Sequence, residues 1–335
     1  MKQIIFPRKN EAELKDVPDE AVGPRTVKIK TVISTVSAGT ERANITGDAN
    51  VSGIRAPEVS FPRSSGYSIS GIAVEVGDEV KDIKVGDRVH AFWTNHKEYN
   101  YIPEERVIKI PDGISFSEAA QVFISTFSLA AIRKCRVEIG ESAMVMGLGL
   151  LGQYAVRLLR CAGATPIIAV DPIESKRKTA LAGGADYALD PFEEGFADKV
   201  KSLTGGGVNA CVEVTGLGSG LDMALDCMAM FGRVALLGCT RNKDFSIDYY
   251  RKVHCPGISL IGAHTRARPE NESHPGYFTH RDDISAVFKL LKGGRLSFDS
   301  MGAEMHSPHE CPAVYERLIN DKNFPAVVQF DWERL

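Results

Sequence analysis

Residues 142–152 read Ser142-Ala-Met-Val-Met-Gly147-Leu-Gly149-Leu-Leu-Gly152, and the run Ile167-Ile-Ala-Val-Asp171 follows after Gly163. A short apolar run, three glycines in G-x-G-x-x-G spacing, an apolar segment at helical period and a second apolar run ending in an acid predict strand, tight turn, helix, strand. Gly147 allows the sharp turn. Gly149 allows backbone to approach a pyrophosphate, and Gly152 allows the helix to pack close to the strand. The helix, opened by Leu150 and Leu151, turns its N-terminal amides towards the phosphates. Asp171 lies roughly 20 residues on, where a carboxylate accepts hydrogen bonds from an adenosine ribose. A glycine-rich turn without a ligand would leave Asp171 unexplained.

Downstream, strands and helices continue to alternate. Ser175–Ala182 and Phe192–Leu203 read as helices, Ala210–Thr215 as a buried strand, Leu221–Met230 as a helix, and Gly232–Gly238 and Ser259–Gly262 as strands. That order predicts a doubly wound parallel sheet. Its carboxyl ends place Asp171, Thr215, Gly238 and Cys239 along one crevice. Lys176 and Arg177 follow Asp171 closely enough to leave NADP open, but the Asp171 carboxylate would repel a 2′-phosphate, so NAD is the expected cofactor.

Upstream, residues 1–120 read as short strands and glycine turns. Val27–Ile33 and Gly71–Gly77 alternate apolar and polar positions, as half-buried strands do. Together they suggest a small barrel-like β domain. Residues 121–263 then form the dinucleotide domain. The segment 264–335 opens on a polar loop carrying His264, Arg266, Arg268, His274 and His280; Arg266, Arg268, His274 and His280 read equally as a receptor for an anionic or polyhydroxy substrate and as an exposed loop, and the final strand, Phe324–Phe330, is expected to return to the first domain.

The chain has 335 residues and a formal net charge of −3, with no basic stripe to track phosphates, so a nucleic-acid partner is not expected. Its seven cysteines form no C-x-x-C pair, a pattern expected of reduced thiols in a cytoplasmic protein. No apolar run approaches the ~18 residues of a membrane span, and no signal-peptide core is present at Met1–Pro7.

Several motifs resemble those of the medium-chain dehydrogenase/reductases, the superfamily of zinc alcohol and polyol dehydrogenases. They are Val36-Ser-Ala-Gly-Thr-Glu41, Gly66-Tyr-Ser-Ile-Ser-Gly71, Val74-Glu-Val-Gly77, Val85-Gly-Asp-Arg-Val89, Ile124-Ser-Thr126, the glycine loop and Val212-Glu-Val-Thr-Gly216. The resemblance implies an α/β protein with a GroES-like β-barrel catalytic domain plus a Rossmann doubly wound parallel-sheet domain. It also implies a dimer or tetramer acting on a small-molecule substrate.

The departures from the family pattern bear on metal. Where zinc-bearing members have a ligating cysteine this chain has Ala38, and their Gly-His-Glu becomes Gly66-Tyr67-Ser68. Their third ligand falls near Val122 or Phe123, and Val89–Tyr101 lacks the cysteines of the structural zinc loop. Zinc requires thiolate, imidazole or carboxylate ligands, so a zinc-free member is expected. It is similar to the subgroup containing bacteriochlorophyllide dehydrogenase-like and sugar-associated oxidoreductases.

Without zinc, another group must stabilise and protonate the developing alkoxide. Tyr67 is the first candidate, against the simpler reading that its ring fills an empty metal site. Thr40 matches a relay hydroxyl, although Ala43 replaces the relay histidine. His96 is a third candidate acid, against its reading as a solvated loop histidine, and Glu41 reads as a surface or salt-bridged carboxylate. Trp93 matches an aromatic pocket wall. Asn95 and His264 complete the expected substrate side, and Thr126 matches a nicotinamide-contacting threonine. The expected activity is zinc-independent hydride transfer between NAD(H) and a secondary alcohol or ketone, with a sugar-like or polyol substrate. The alternatives are an NADPH-dependent enone or quinone reductase and a non-catalytic dinucleotide sensor.

Overall fold

The Ala143–Met146 and Ile167–Val170 strands are buried along their whole length. Continuous apolar runs of this kind belong in a parallel sheet covered on both faces by helices. The computed structural model, which describes residues 1–48, 59–240, 242 and 244–335, builds that sheet. Six parallel strands lie in the order Tyr187–Leu189, Ile167–Val170, Ala143–Met146, Val208–Glu213, Met228–Leu236 and Ser259–Gly262. Chain order runs outward from Ala143–Met146 on one side and resumes at Val208–Glu213 on the other. The topological switch point, where open α/β sheets bind ligands, therefore lies between those two strands. The helices Leu150–Ala162, Glu174–Ala182, Phe196–Thr204 and Gly218–Asp226 make the crossovers. Met144, Ile168, Val170, Cys211, Val234 and Leu225 meet in the core of this layer.

The chain divides into two compact units, Ile124–Met301 and Met1–Phe123 with Gly302–Leu335. The boundaries differ from the sequence reading. Residues 264–301 stay with the dinucleotide unit, and the return begins at Gly302. The cause is the polar loop's own side chains, which are bound inside that unit. Arg268 reaches the Thr126 carbonyl at 3.2 Å, and Asp283 takes Arg133 at 2.8 Å.

In the other unit the strand Thr26–Thr35 is the hub. It pairs antiparallel with Ser68–Val76, Tyr99–Pro103 and Val327–Asp331, so the chain's last strand lies beside one of its first. Val27, Ile29, Ile69, Val89 and Ile102 fill the space between strands. A second cluster gathers Phe6, Val36, Tyr315, Phe330 and Trp332 beneath the helix Ala38–Ile45. Among the described residues no helix is long and apolar enough to cross a membrane.

Candidate active site

The dinucleotide unit answers each requirement of the glycine loop separately. Gly147 has φ 97°, a conformation that side chains rarely adopt. A Cβ on Gly152 would stand 2.0 Å from the Gly147 carbonyl oxygen, so the helix can lie this close only with glycine there. Among the described residues a Cβ on Gly149 would meet nothing within 4 Å. No contact among them demands that glycine, whereas a pyrophosphate resting on the loop would.

Asp171, 7% exposed, closes the loop from the next strand. Its Oδ2 accepts the Leu148 amide at 2.8 Å and its Oδ1 the Ile173 amide at 2.9 Å. An ionised carboxylate has about four acceptor sites, so two remain for a ribose. Leu150 is buried in the first helical turn, and the Leu151 carbonyl accepts the Ser128 hydroxyl at 2.7 Å. Lys176 is half-buried, with its carbonyl taking the Gln153 amide group at 2.9 Å.

Across the switch point Thr215 lies against the loop, since a Cβ on Gly147 would come within 3.0 Å of its Cγ2. The Gly238 amide donates to the Glu213 carbonyl at 2.8 Å, and Cys239 beside it is exposed. The uncrowded Gly149 and the remaining acceptor positions of Asp171 are the features that fit a dinucleotide.

Glu213 is a residue the sequence reading passed over. It is 3% exposed, and its carboxylate accepts the Thr215 amide at 2.7 Å, the Thr215 hydroxyl and the Gly216 amide at 3.4 Å. Burial raises its pKa against those three hydrogen bonds. An acid inside the apolar run Ala210–Thr215 was the available signal. It anchors the turn that carries Thr215.

Thr126 is wholly buried, and its carbonyl accepts Arg268 Nη2 at 3.2 Å. Two expectations in this unit are corrected. Arg268 is itself an interior group, 4% exposed and bound to Asp283 at 3.1 Å, and not a free anion receptor. His280 is driven down to about 3 by burial and by the Arg268 charge, so it stays neutral. His264 is half-buried, with Nδ1 accepting the Arg266 amide at 3.2 Å.

In the other unit Tyr67 is half-buried in an aromatic group. Its ring centroid is 5.9 Å from Trp93 and 5.9 Å from Phe123, edge-on to the latter, and Phe123 stacks on Phe92 at 5.0 Å. Trp93 has φ 58°, an outlier for a bulky residue. Strain of this kind, of order 1–3 kcal/mol, collects at functional sites. The Tyr67 hydroxyl is hydrogen-bonded to the Ser37 hydroxyl. Thr40 is half-buried in the first turn of the helix Ala38–Ile45. Asn95 is tied to Asn100 through its amide at 3.0 Å and its carbonyl at 3.2 Å.

His96 is not a solvated loop histidine. It is fully buried, with Nδ1 2.7 Å from the Ser34 hydroxyl and Nε2 3.1 Å from Glu41. With both nitrogens engaged and no surface, it belongs to the interior and not to the reacting groups. Glu41, read as a surface or salt-bridged carboxylate, is 1% exposed and takes the Ser37 amide at 2.8 Å and the Tyr315 hydroxyl at 2.5 Å.

The residues at the expected zinc positions do not fit a zinc ion. Ala38 and Phe123 have no ligating side-chain atom, and Phe123 is wholly buried with the Phe92 ring at 5.0 Å and the Trp93 ring at 5.1 Å. Among the described residues no group of three His, Cys, Asp or Glu is arranged to hold a metal ion.

Comparison with known proteins agrees with this architecture. Residues 151–274 match the zinc-binding dehydrogenase family. The chain is 25% identical over 339 residues to D-guloside 3-dehydrogenase of Escherichia coli K12, covering 96% of both chains. Its fold superposes on 2R,3R-butanediol dehydrogenase of Bacillus subtilis with a TM-score of 0.82 at 23% identity, covering 98% of this chain and 99% of the other. It superposes on a zinc-binding dehydrogenase of Sinorhizobium meliloti 1021 bound to NADP with a TM-score of 0.80 at 20% identity, covering 98% of each.

Proposed function

We propose that the chain is a medium-chain member of the zinc-binding dehydrogenase family that works without zinc, moving a hydride between NAD(H) and a secondary alcohol or ketone on a sugar-like or polyol substrate. The observation that carries this reading is the Tyr67 hydroxyl. Where the family pattern places a zinc ligand, this chain has a phenol hydrogen-bonded to Ser37 and walled by Trp93 and Phe123. The guloside and butanediol activities named for similar proteins support the substrate class.

The dinucleotide, when bound, accepts or donates the hydride. The protein's own residues do the rest. The Gly147–Gly152 turn and the helix behind it receive the pyrophosphate. Asp171 receives the ribose, and the Glu213-anchored turn at Thr215 lines the crevice. Trp93 and Phe123 give Tyr67 an apolar wall. Tyr67 takes the proton from the alcohol, or returns it to the carbonyl oxygen.

NAD(H) is expected to bind more tightly than NADP(H), because the 2′-phosphate would meet the Asp171 carboxylate. Replacing Asp171 by serine should narrow the ratio of dissociation constants by about tenfold or more, since one charge repulsion at about 4 Å costs about 1 kcal/mol in bulk water and more beside a protein. Quenching of tryptophan fluorescence on titration with each cofactor measures it. Tighter binding of NADP(H) by the unaltered protein would contradict the assignment.

The aromatic enclosure of Tyr67 favours a second reading, in which a quinone or enone receives the hydride at carbon. NAD reduction by sugars and polyols, set against NADPH oxidation by quinones and enones, separates the two.

A further inference from the structure

Ser37 stands at the N-cap of the helix Ala38–Ile45, yet its side chain makes no capping bond. A serine at this position ordinarily turns its hydroxyl back to an amide of the first helical turn. Here the hydroxyl meets the Tyr67 phenol instead. Its backbone is secured from the other side, where the Ser37 amide donates to Glu41 Oε1 at 2.8 Å.

Glu41 is itself held from three directions. It accepts the Tyr315 hydroxyl at 2.5 Å and contacts His96 Nε2 at 3.1 Å, while His96 Nδ1 rests on Ser34, which also receives the Trp332 indole N–H at 2.9 Å. Burial would push the Glu41 carboxyl up, but His96, Tyr315 and the Ser37 amide outweigh it and hold the group below its ordinary range. Burial and the neighbouring Glu41 charge push the Tyr315 phenol well up, so it remains a donor. The hydrogen-bonded cluster holds the Ser37 backbone from which the hydroxyl extends to Tyr67.

We infer that Ser37 is the positioning residue for Tyr67: its hydroxyl aims the phenol and donates a hydrogen bond to it whenever Tyr67 is ionised. This rests on the proposed role of Tyr67. In alcohol oxidation the substrate O–H bond breaks and its proton passes to the Tyr67 phenolate. The C–H bond breaks with its electron pair, which reduces the dinucleotide, and the carbon–oxygen bond becomes a carbonyl. Ser37 transfers no proton. Its O–H donates to the phenolate before the step, and its oxygen accepts the hydrogen bond of the neutral phenol after it.

A donor to the charged form lowers a phenol's pKa, so the test needs no substrate. Tyrosinate absorbance is followed through an alkaline titration, and the difference between the unaltered protein and Tyr67→Phe isolates one phenol among nine. Ser37→Ala, subtracted against Ser37→Ala/Tyr67→Phe, should move that titration up by about one pH unit, as loss of one hydrogen bond to a charged group implies. Ser37→Thr keeps a hydroxyl and should restore it. A titration unmoved in Ser37→Ala, or moved equally in Ser37→Thr, overturns the inference whatever Tyr67 does in turnover. A moved titration beside unchanged turnover in Tyr67→Phe overturns the role of Tyr67, and the inference with it.

Discussion

Replacing Tyr67 by phenylalanine is expected to lower turnover on the order of 10²-fold or more, the usual cost of removing one donor to a developing oxyanion. The substitution keeps the ring and its packing at 5.9 Å from both Trp93 and Phe123. It removes only the hydroxyl bonded to Ser37, so stability should fall by no more than about 1 kcal/mol. Dinucleotide affinity should stay unchanged, because the glycine loop and Asp171 belong to the other unit. Turnover on a responsive alcohol, measured beside cofactor affinity, checks this. Near-normal turnover would leave Tyr67 as a side chain that fills space.

Replacing Asp283 by alanine is expected to destabilise the dinucleotide unit by about 3–5 kcal/mol, the cost of removing one member of a buried ion group. Asp283 is wholly buried between Arg133 Nε at 2.8 Å and Arg268 Nη1 at 3.1 Å. Burial raises its pKa, and the two guanidiniums oppose that shift. Burial likewise lowers the pKa of Arg268. Forming the group therefore gains little over an apolar core, yet removing the carboxylate leaves Arg268 buried without its counter-ion. Arg133 would keep its place over the Phe278 ring, 3.7 Å away, and suffer less. At roughly 2–4 °C per kcal/mol for a unit of this size, the melting temperature should drop by about 10 °C. A drop of less than about 2 °C would mean that water replaces the carboxylate at little cost.

How far the sequence could be read follows from how far apart the interacting residues lie. The glycine loop was legible because its constraints are local. Gly152 is glycine on account of Gly147, and Asp171 closes the loop through Leu148. The buried strands were legible because an apolar run states its own burial. Element ends were less so. Leu221–Met230 reads as one apolar helix, but the helix stops at Asp226 and Met228 already begins a strand, since that run suits either structure. The cluster around Glu41 joins residues 55 and 274 positions apart, and neither periodicity nor spacing brings His96 or Tyr315 to it. The histidine- and arginine-rich loop misled for a related reason. Its charges suggested an exposed receptor, whereas Arg268 and Asp283 neutralise each other inside the fold.

The proposed zinc-free hydride transfer rests on Ala38, Tyr67 and Phe123. Elemental analysis of the purified protein, followed by NAD reduction with polyols and glycosides before and after exhaustive chelation, decides it. Zinc far below one per chain and the same rate of NAD reduction after chelation are expected. About one zinc per chain, with activity lost on its removal and restored on its return, would put a Lewis acid in the role proposed for Tyr67.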